Sequence, residues 1–323
     1  MNRNVRTDLA LESRENLSLE MGEELSGVEV TVEEDEDLGI IVTWVEINNN
    51  EGATSMGKPI GNYITLESSL MKENDPDSHE EIIKILARKL GQLHRLGENS
   101  TILVVGLGNR YVTPDALGPQ VCENLLVTRH LSEEVPQDLK LRAVSALAPG
   151  VMGITGIETA EIIKGVVDRV KPDVVIAVDA LAARKTSRIN TTIQMSDAGV
   201  NPGAGLGNRR MPLNKESMGV PVLAIGVPTV VDAATLVNDT LDKMLGAMLD
   251  SITTEHPFFE MLNTMQDEER HSVIGDILSN SNMFVTPKEI DAVVTRLAKI
   301  IANTLNIALH PGITQDDINR YLS

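Results

Sequence analysis

The sequence predicts an α/β fold: a largely parallel, twisted central sheet with helices on both faces, extra strands at the N-terminal end and a helical part at the C-terminal end. Three observations carry that expectation. From Ile102 onward short apolar runs alternate with stretches of helical character, the pattern of parallel sheets wrapped by helices. The content of 42% hydrophobic residues in 323 is ample for a substantial core. Two aspartates, Asp115 and Asp179, stand just past apolar runs, where open α/β sheets place their sites.

Residues 1–20 are polar and charged. The run 28–32 reads as a strand, the acidic stretch 33–37 as a turn, and 40–47 as a second strand. In the latter Ile41, Thr43, Val45 and Ile47 alternate as on a half-buried edge. A short strand follows at 63–66, and Ser78 with Glu81 reads as a capping box for a helix ending near Gly97. The run 102–106 is the next strand, with a helix opened by Thr113 and Pro114 and running to about residue 131. Strands are expected at 141–144, 174–178, 188–194 and 222–227, with a helix over 156–170 capped by Thr155 and Glu158. Thr286, Pro287 and Glu289 start a last helix whose Ile290, Val293, Val294, Leu297 and Ile301 make one apolar stripe. Residues 196–220, rich in Gly, read as a long irregular loop, and 254–282 as short helices or a surface element. No internal repeat breaks the chain.

Charge and cysteine content narrow the function. A net charge of −19 and a pI near 4.7 disfavour direct nucleic-acid binding, which relies on Lys and Arg displacing counterions. The single Cys122 excludes an internal disulfide, and no apolar leader is visible, so a cytoplasmic protein is expected. Apolar runs fall short of the roughly 20 residues that span a membrane, so none is expected to do so.

Gly106-x-Gly108 follows a strand, but Tyr111 stands where a dinucleotide fingerprint needs its third glycine. Thr113 and Pro114 put Asp115 in the first turn of a helix, where it could simply complement the dipole. Asp179 at its strand end could simply cap a turn. If the two face one another, they could share a proton and activate water, or hold a divalent cation that does so. Either chemistry is a hydrolase's. No His-Glu-x-x-His, Gly-x-Ser-x-Gly or zinc-spaced cysteine pair is present, nor the Asp-Thr/Ser-Gly triplet of pepsin-like enzymes. Cys122 falls on the apolar face with Leu117, Leu125 and Leu126, and the six histidines read as structural or solvated. Arg184, Lys185 and Arg188, with Arg209 and Arg210 in the Gly-rich loop, form a basic island that is either solvated or holds an acidic substrate side chain.

The stretches 104–109, 113–119, 125–130 and 149–153 together resemble the bacterial spore germination protease family. So do Gly156-Ile157-Glu158-Thr159, Asp179-Ala180-Leu181-Ala182, Asn190-Thr191-Thr192-Ile193-Gln194 and the run 226–233. The resemblance covers nearly the whole chain. It implies an endopeptidase that degrades small acid-soluble spore proteins in the spore core, cutting after Glu in Thr-Glu-(Phe or Ile)-Ala. It also implies a homotetrameric zymogen that removes its own N-terminal segment, with Asp115 and Asp179 as the catalytic pair. Arg6-Thr7-Asp8-Leu9-Ala10 is similar to such a site, so self-cleavage is expected between Asp8 and Leu9. Residues 1–8 are then a propeptide and 9–323 a single peptidase domain, with residues 1–8 or the Gly-rich loop obstructing the crevice of the precursor. The basic island Arg184, Lys185, Arg188 and Arg209 is expected to hold the substrate's acidic side chain.

The fold also looks like that of hydrogenase-maturation endopeptidases, which bind a metal. Their histidine ligand has no counterpart here, so no metal or other cofactor is expected. The alternatives are a metal-dependent endopeptidase using the same aspartates as ligands, and a non-enzymatic binder of basic spore proteins.

Overall fold

The computed structural model describes residues 7–21, 25–131, 140–202, 210–233, 236–237, 240, 283–315 and 317–318. In chain order the elements are α1 (Ala10–Met21), β1 (Val28–Asp35), β2 (Ile40–Ile47), α2 (Asn50–Met56), β3 (Gly61–Glu67) and α3 (Pro76–Leu93). Then come β4 (Thr101–Gly106), α4 (Leu117–Glu123), β5 (Ala143–Leu147), α5 (Met152–Thr155), α6 (Thr159–Val170) and β6 (Val174–Ala183). The last are β7 (Thr192–Ser196), α7 (Lys215–Met218), β8 (Val222–Asp232), β9 (Phe284–Val285) and α8 (Ile290–Leu309). Among the described residues all strands join one sheet, ordered β1-β2-β3-β7-β8-β6-β4-β5, with β9 pairing β8.

The sheet is mixed rather than largely parallel. β5, β4, β6 and β8 run parallel, whereas β1, β2, β3 and β7 form antiparallel pairs and β7 joins β8 antiparallel. The reason is connection length: residues 36–39 and 184–191 are too short for a crossover of about a dozen residues, so β2 and β7 turn back.

Both faces are covered. On one, α3, α4 and α8 pack over Ile102, Val104, Val174, Ile176, Val178, Leu223 and Ile225. By length and composition α8 could cross a membrane, yet most of it is buried in this layer. On the other face, Ile163 and Val167 of α6 cover Leu103, Val105, Val175 and Ala177, while Ala10 of α1 and Met56 of α2 cover Val45, Ile47 and Tyr63. The alternation along β6 therefore puts Asp179 on the α6 face, in the gap between these two layers.

Several ends differ from the sequence expectation. The N-cap of α3 is Asp75, which accepts the Asp77 N–H, and Pro76 takes the first turn; Ser78 donates to Asp75 instead of capping. Thr113–Asp115 is a single 3₁₀ turn and α4 ends at Glu123, well short of residue 131. The helix expected over 156–170 divides at Gly156 into α5 and α6, and Glu158 rather than Thr155 stands at the N-cap of α6. Residues 186–188 form a 3₁₀ turn before β7. The polar N-terminal stretch forms α1. Residues 254–282 lie outside the described residues.

The turn that carries Asp115 is wedged against the sheet. The Leu107 N–H donates to Val178 O at 2.8 Å, the last link between β4 and β6. Gly108 then turns with φ +104°, its α-carbon facing the Asp115 backbone. Thr229 Oγ1 of β8 donates to Pro114 O at 2.7 Å. A Cβ on Gly118 would stand 2.3 Å from Leu107 O and 2.6 Å from Val178 O, so α4 approaches the strands only because that residue is glycine. Gly118→Ala is expected to lower the unfolding free energy by about 1–3 kcal/mol. A urea melt indistinguishable from wild type would contradict this close contact.

Candidate active site

Asp179 lies near the middle of β6, directly across from Gly226 on β8, which in turn faces Gln194 on β7. Registered partners share a face, so the carboxylate of Asp179 and the amide of Gln194 stand on the same side of the sheet, with Gly226 between their strands and the Leu181 side chain lying over that glycine. Both are buried. Asp115 Oδ2 accepts the Asn109 N–H at 2.8 Å, which fixes it at the β4 end of this crevice.

The two carboxyls are in different electrostatic settings. Burial, the Asp115 charge and the Asp8 charge together push Asp179 well above the usual carboxylate range, against the Ala180 N–H and Arg210. Burial also raises Asp115, opposed by the Asn109 N–H and Arg210. Asp179 is thus the stronger proton holder, and Arg210 is the cation that acts on both. Among the described residues no group of three or more His, Cys, Asp or Glu side chains could hold a metal ion.

The crevice is occupied by the chain's own N-terminal segment. Beyond Val178, β6 has no β4 beside it, and Asp8 takes that edge. Its N–H donates to Ala182 O at 3.1 Å, and its Oδ2 accepts the Ala182 N–H at 2.9 Å. Leu9 is fully buried against Leu181 and Ala183. The Leu9 N–H donates to Thr7 Oγ1 at 3.1 Å, and the Ala10 N–H to Gln194 Oε1 at 2.7 Å.

The basic island meets acids further along this segment. Glu12, 1% exposed, accepts the N–H groups of Arg184 at 2.7 Å and Lys185 at 2.8 Å and a hydrogen bond from Thr7. Arg188 is buried and forms a two-bonded pair with Glu15 at 2.6 and 2.8 Å, and also bonds Glu67 at 2.7 Å. Lys185 Nζ lies 2.7 Å from Glu15. Burial would raise the Glu15 carboxyl, but the Arg188 and Lys185 bonds prevail and hold it at about 2. Arg209 lies outside the described residues.

Asp8, Leu9, Asp115, Asp179 and the backbone of the basic island are therefore gathered along one stretch of β6. Sequence reasoning missed Gln194, Glu12 and Lys58, whose Nζ donates to Thr7 O at 3.2 Å and Asp8 O at 2.9 Å. The only available signal was the apolar pattern of β7, which leaves Gln194 facing away from Ile193 and Met195. Cys122 is partly buried beside Leu147 O, its thiol pushed up to about 11 chiefly by burial.

An acid whose pKa is raised by folding costs nothing below its unfolded value near 3.8, costs progressively more as pH rises from there to the raised value, and carries the full cost above it. Asp179→Asn is therefore expected to raise the melting temperature by a few degrees at pH 8 and to leave it near wild type at pH 3.5. Equal melting temperatures at both pH values would show that Asp179 carries no buried-charge penalty.

The germination protease family model matches residues 6–257 and 248–322. A germination protease of Caldanaerobacter subterraneus subsp. tengcongensis is 49% identical over 98% of both chains. One of Clostridium perfringens is 49% identical over 99% of both, and one of Bacillus cereus 42% identical over 98% of this chain and 96% of its own. With matches of this length and identity, the chain belongs to the germination protease family.

Proposed function

We propose that the chain is an endopeptidase precursor that cuts its own Asp8–Leu9 bond, with Asp115 and Asp179 sharing one proton to activate water. The observation that carries this is the place of Asp8: its backbone continues the β6 ladder at Ala182, in the crevice beyond β4 that Asp115 and Asp179 border. Asp115, supported by the Asn109 N–H, is the anion that takes a proton from water. Asp179 holds the shared proton and gives it to the Leu9 nitrogen as the bond breaks.

The neighbours of the bond support the expected preference for Thr-Glu-(Phe or Ile)-Ala. The hydroxyl of Thr7 accepts the Leu9 N–H, the Leu9 side chain is enclosed, and Ala10 is fully buried among Val45, Ile47, Met56 and Tyr63. Asp8 stands where substrate Glu would. In this arrangement Glu12, after the cut, takes the Arg184 and Lys185 N–H groups, and Glu15 takes the Arg188 guanidinium.

Residues 1–8 are then the propeptide and 9–323 the peptidase domain. The segment that presents the bond also fills the cleft another chain needs, which supports a silent precursor. The substrates we propose are small acid-soluble spore proteins in the spore core, where a charge of −19 suits an enzyme taking basic proteins from DNA. We include a homotetramer, for which exposed Met152, Ile154 and Ile157 offer an apolar surface.

The test is to incubate the full chain, with and without chelator, beside Asp115→Asn and Asp179→Asn, and to read N-termini by mass. A new terminus at Leu9 that persists in chelator and is slowed about 100-fold or more in both variants is expected. Loss in chelator would make the aspartates metal ligands; undiminished processing in the variants would remove them from the mechanism.

A further inference from the structure

We infer that Lys58 is a catalytic residue of this peptidase, its ammonium stabilising the oxyanion that forms on the Asp8 carbonyl, with Gln194 as the second donor. The inference rests on the Asp8–Leu9 bond being the one cut.

Lys58 follows α2, which closes on Gly57 in the left-handed conformation; the Lys58 N–H returns to Ala53 O at 3.3 Å and fixes the start of the side chain. From there Nζ reaches Asp8 O at 2.9 Å and Thr7 O at 3.2 Å. The ammonium is attracted by the Asp8 and Glu12 carboxylates and hydrogen-bonds these two main-chain carbonyls. Gln194 Nε2 donates to the same Asp8 oxygen at 3.3 Å, while its Oε1 accepts the Ala10 N–H at 2.7 Å. The amide therefore brackets the bond, and its orientation is set by a donor that has only one way to point. Two donors from separate elements converging on one carbonyl oxygen is the arrangement that binds negative charge as it develops.

The step balances without any further reactant. Water oxygen bonds to the Asp8 carbonyl carbon, Asp115 takes the water proton, and the carbonyl π pair moves onto oxygen facing Lys58 and Gln194. The pair returns as the C–N bond breaks. The Leu9 nitrogen takes the proton from Asp179, leaving a carboxyl on Asp8 and an amine on Leu9. Lys58 loses no proton; it contributes a fixed positive charge next to the oxygen that becomes anionic.

The experiment follows the first-order appearance of the Leu9 terminus in full-length wild type, Lys58→Met, Lys58→Arg, Lys58→Gln and Asp179→Asn, together with amide exchange at Ala10. Loss of one oxyanion donor costs about 100- to 1000-fold. Lys58→Met is expected to slow processing to that extent while the Ala10 amide stays protected, with Lys58→Arg within about tenfold of wild type. Loss of Ala10 protection together with the rate would overturn the inference, because Lys58 would then merely tether the segment. So would wild-type rates in Lys58→Met, or equal rates in Lys58→Arg and Lys58→Gln if the methionine variant does not fold. Normal processing in Asp179→Asn beside a slow Lys58→Met would sink the aspartate pair and leave the lysine standing. A wild-type cut at another bond would overturn both.

Discussion

β6 outruns its neighbour β4, and the site is built in the space this leaves. The two strands stay paired as far as Val178, after which β4 turns away at Leu107 and Gly108 while β6 continues to Ala183. The continuing edge carries unpaired N–H and C=O groups, which a buried position does not tolerate. A segment in extended conformation satisfies them, and in this chain the segment is Asp8. The edge is met by one main-chain bond, from the Asp8 N–H to Ala182 O, and by the Asp8 carboxylate on the Ala182 N–H, so both backbone and an acidic side chain are recognised there. The turn at Gly108 and the approach of Gly118 bring Asp115 to the same gap. Chain reversal, docking edge and carboxyl pair all follow from one difference in strand length.

Charge then separates the parts of this gap. Burial first, then the charges of Asp115 and Asp8, raise Asp179. Two cations act on these carboxyls: Arg210 on the two crevice aspartates, and Lys58 on Asp8 and on the Asp8 and Thr7 carbonyl oxygens. Burial presses the Lys58 charge down and the Asp8 and Glu12 carboxylates oppose it. A chain of net charge −19 concentrates its compensating cations where the segment binds, since Arg184, Lys185 and Arg188 border the same stretch.

Asp179, expected at a strand end, lies within β6, which continues to Ala183; Asp115 follows β4 as its short apolar run, Gly turn and Thr-Pro, all written locally, predict. The parallel core at 102–106, 174–178 and 222–227 was legible for the same reason. What stayed hidden depends on strand order. Gln194 comes to the same face of the sheet as Asp179 only because β7 turns back and pairs with β8, and no local pattern says which strand β7 joins. Lys58 comes from a turn far away in the chain. Glu12 and Glu15 sit in a stretch so polar that it reads as solvated; Glu12 is buried and Glu15 half-buried by partners more than 150 positions later, through charge and not through an apolar stripe. Ser78 misled for a smaller reason, since Asp75 and Pro76 stand ahead of it and supply a stronger helix start.

A cut between Asp8 and Leu9 would sever only part of what holds the segment. The Ala182 and Lys58 bonds belong to Asp8 and leave with it. Leu9 in its apolar enclosure, Ala10 on Gln194, and Glu12 and Glu15 on the basic island all remain attached to the enzyme. A product tethered so closely competes with substrate at an effective concentration on the order of millimolar for short flexible links. Clearing the cleft therefore depends on breaking the Arg188 cluster as well as the peptide bond. The Arg188–Glu15 pair sets the barrier: it is two-bonded and largely shielded, and separating it leaves Arg188 among Glu67 and Glu12 with one fewer partner. Substrate that brings its own acid to the Arg184 and Lys185 N–H groups offsets that loss, whereas an apolar side chain there does not. On the proposed cut, the basic island would influence which chain occupies β6 afterwards, the enzyme's own or another.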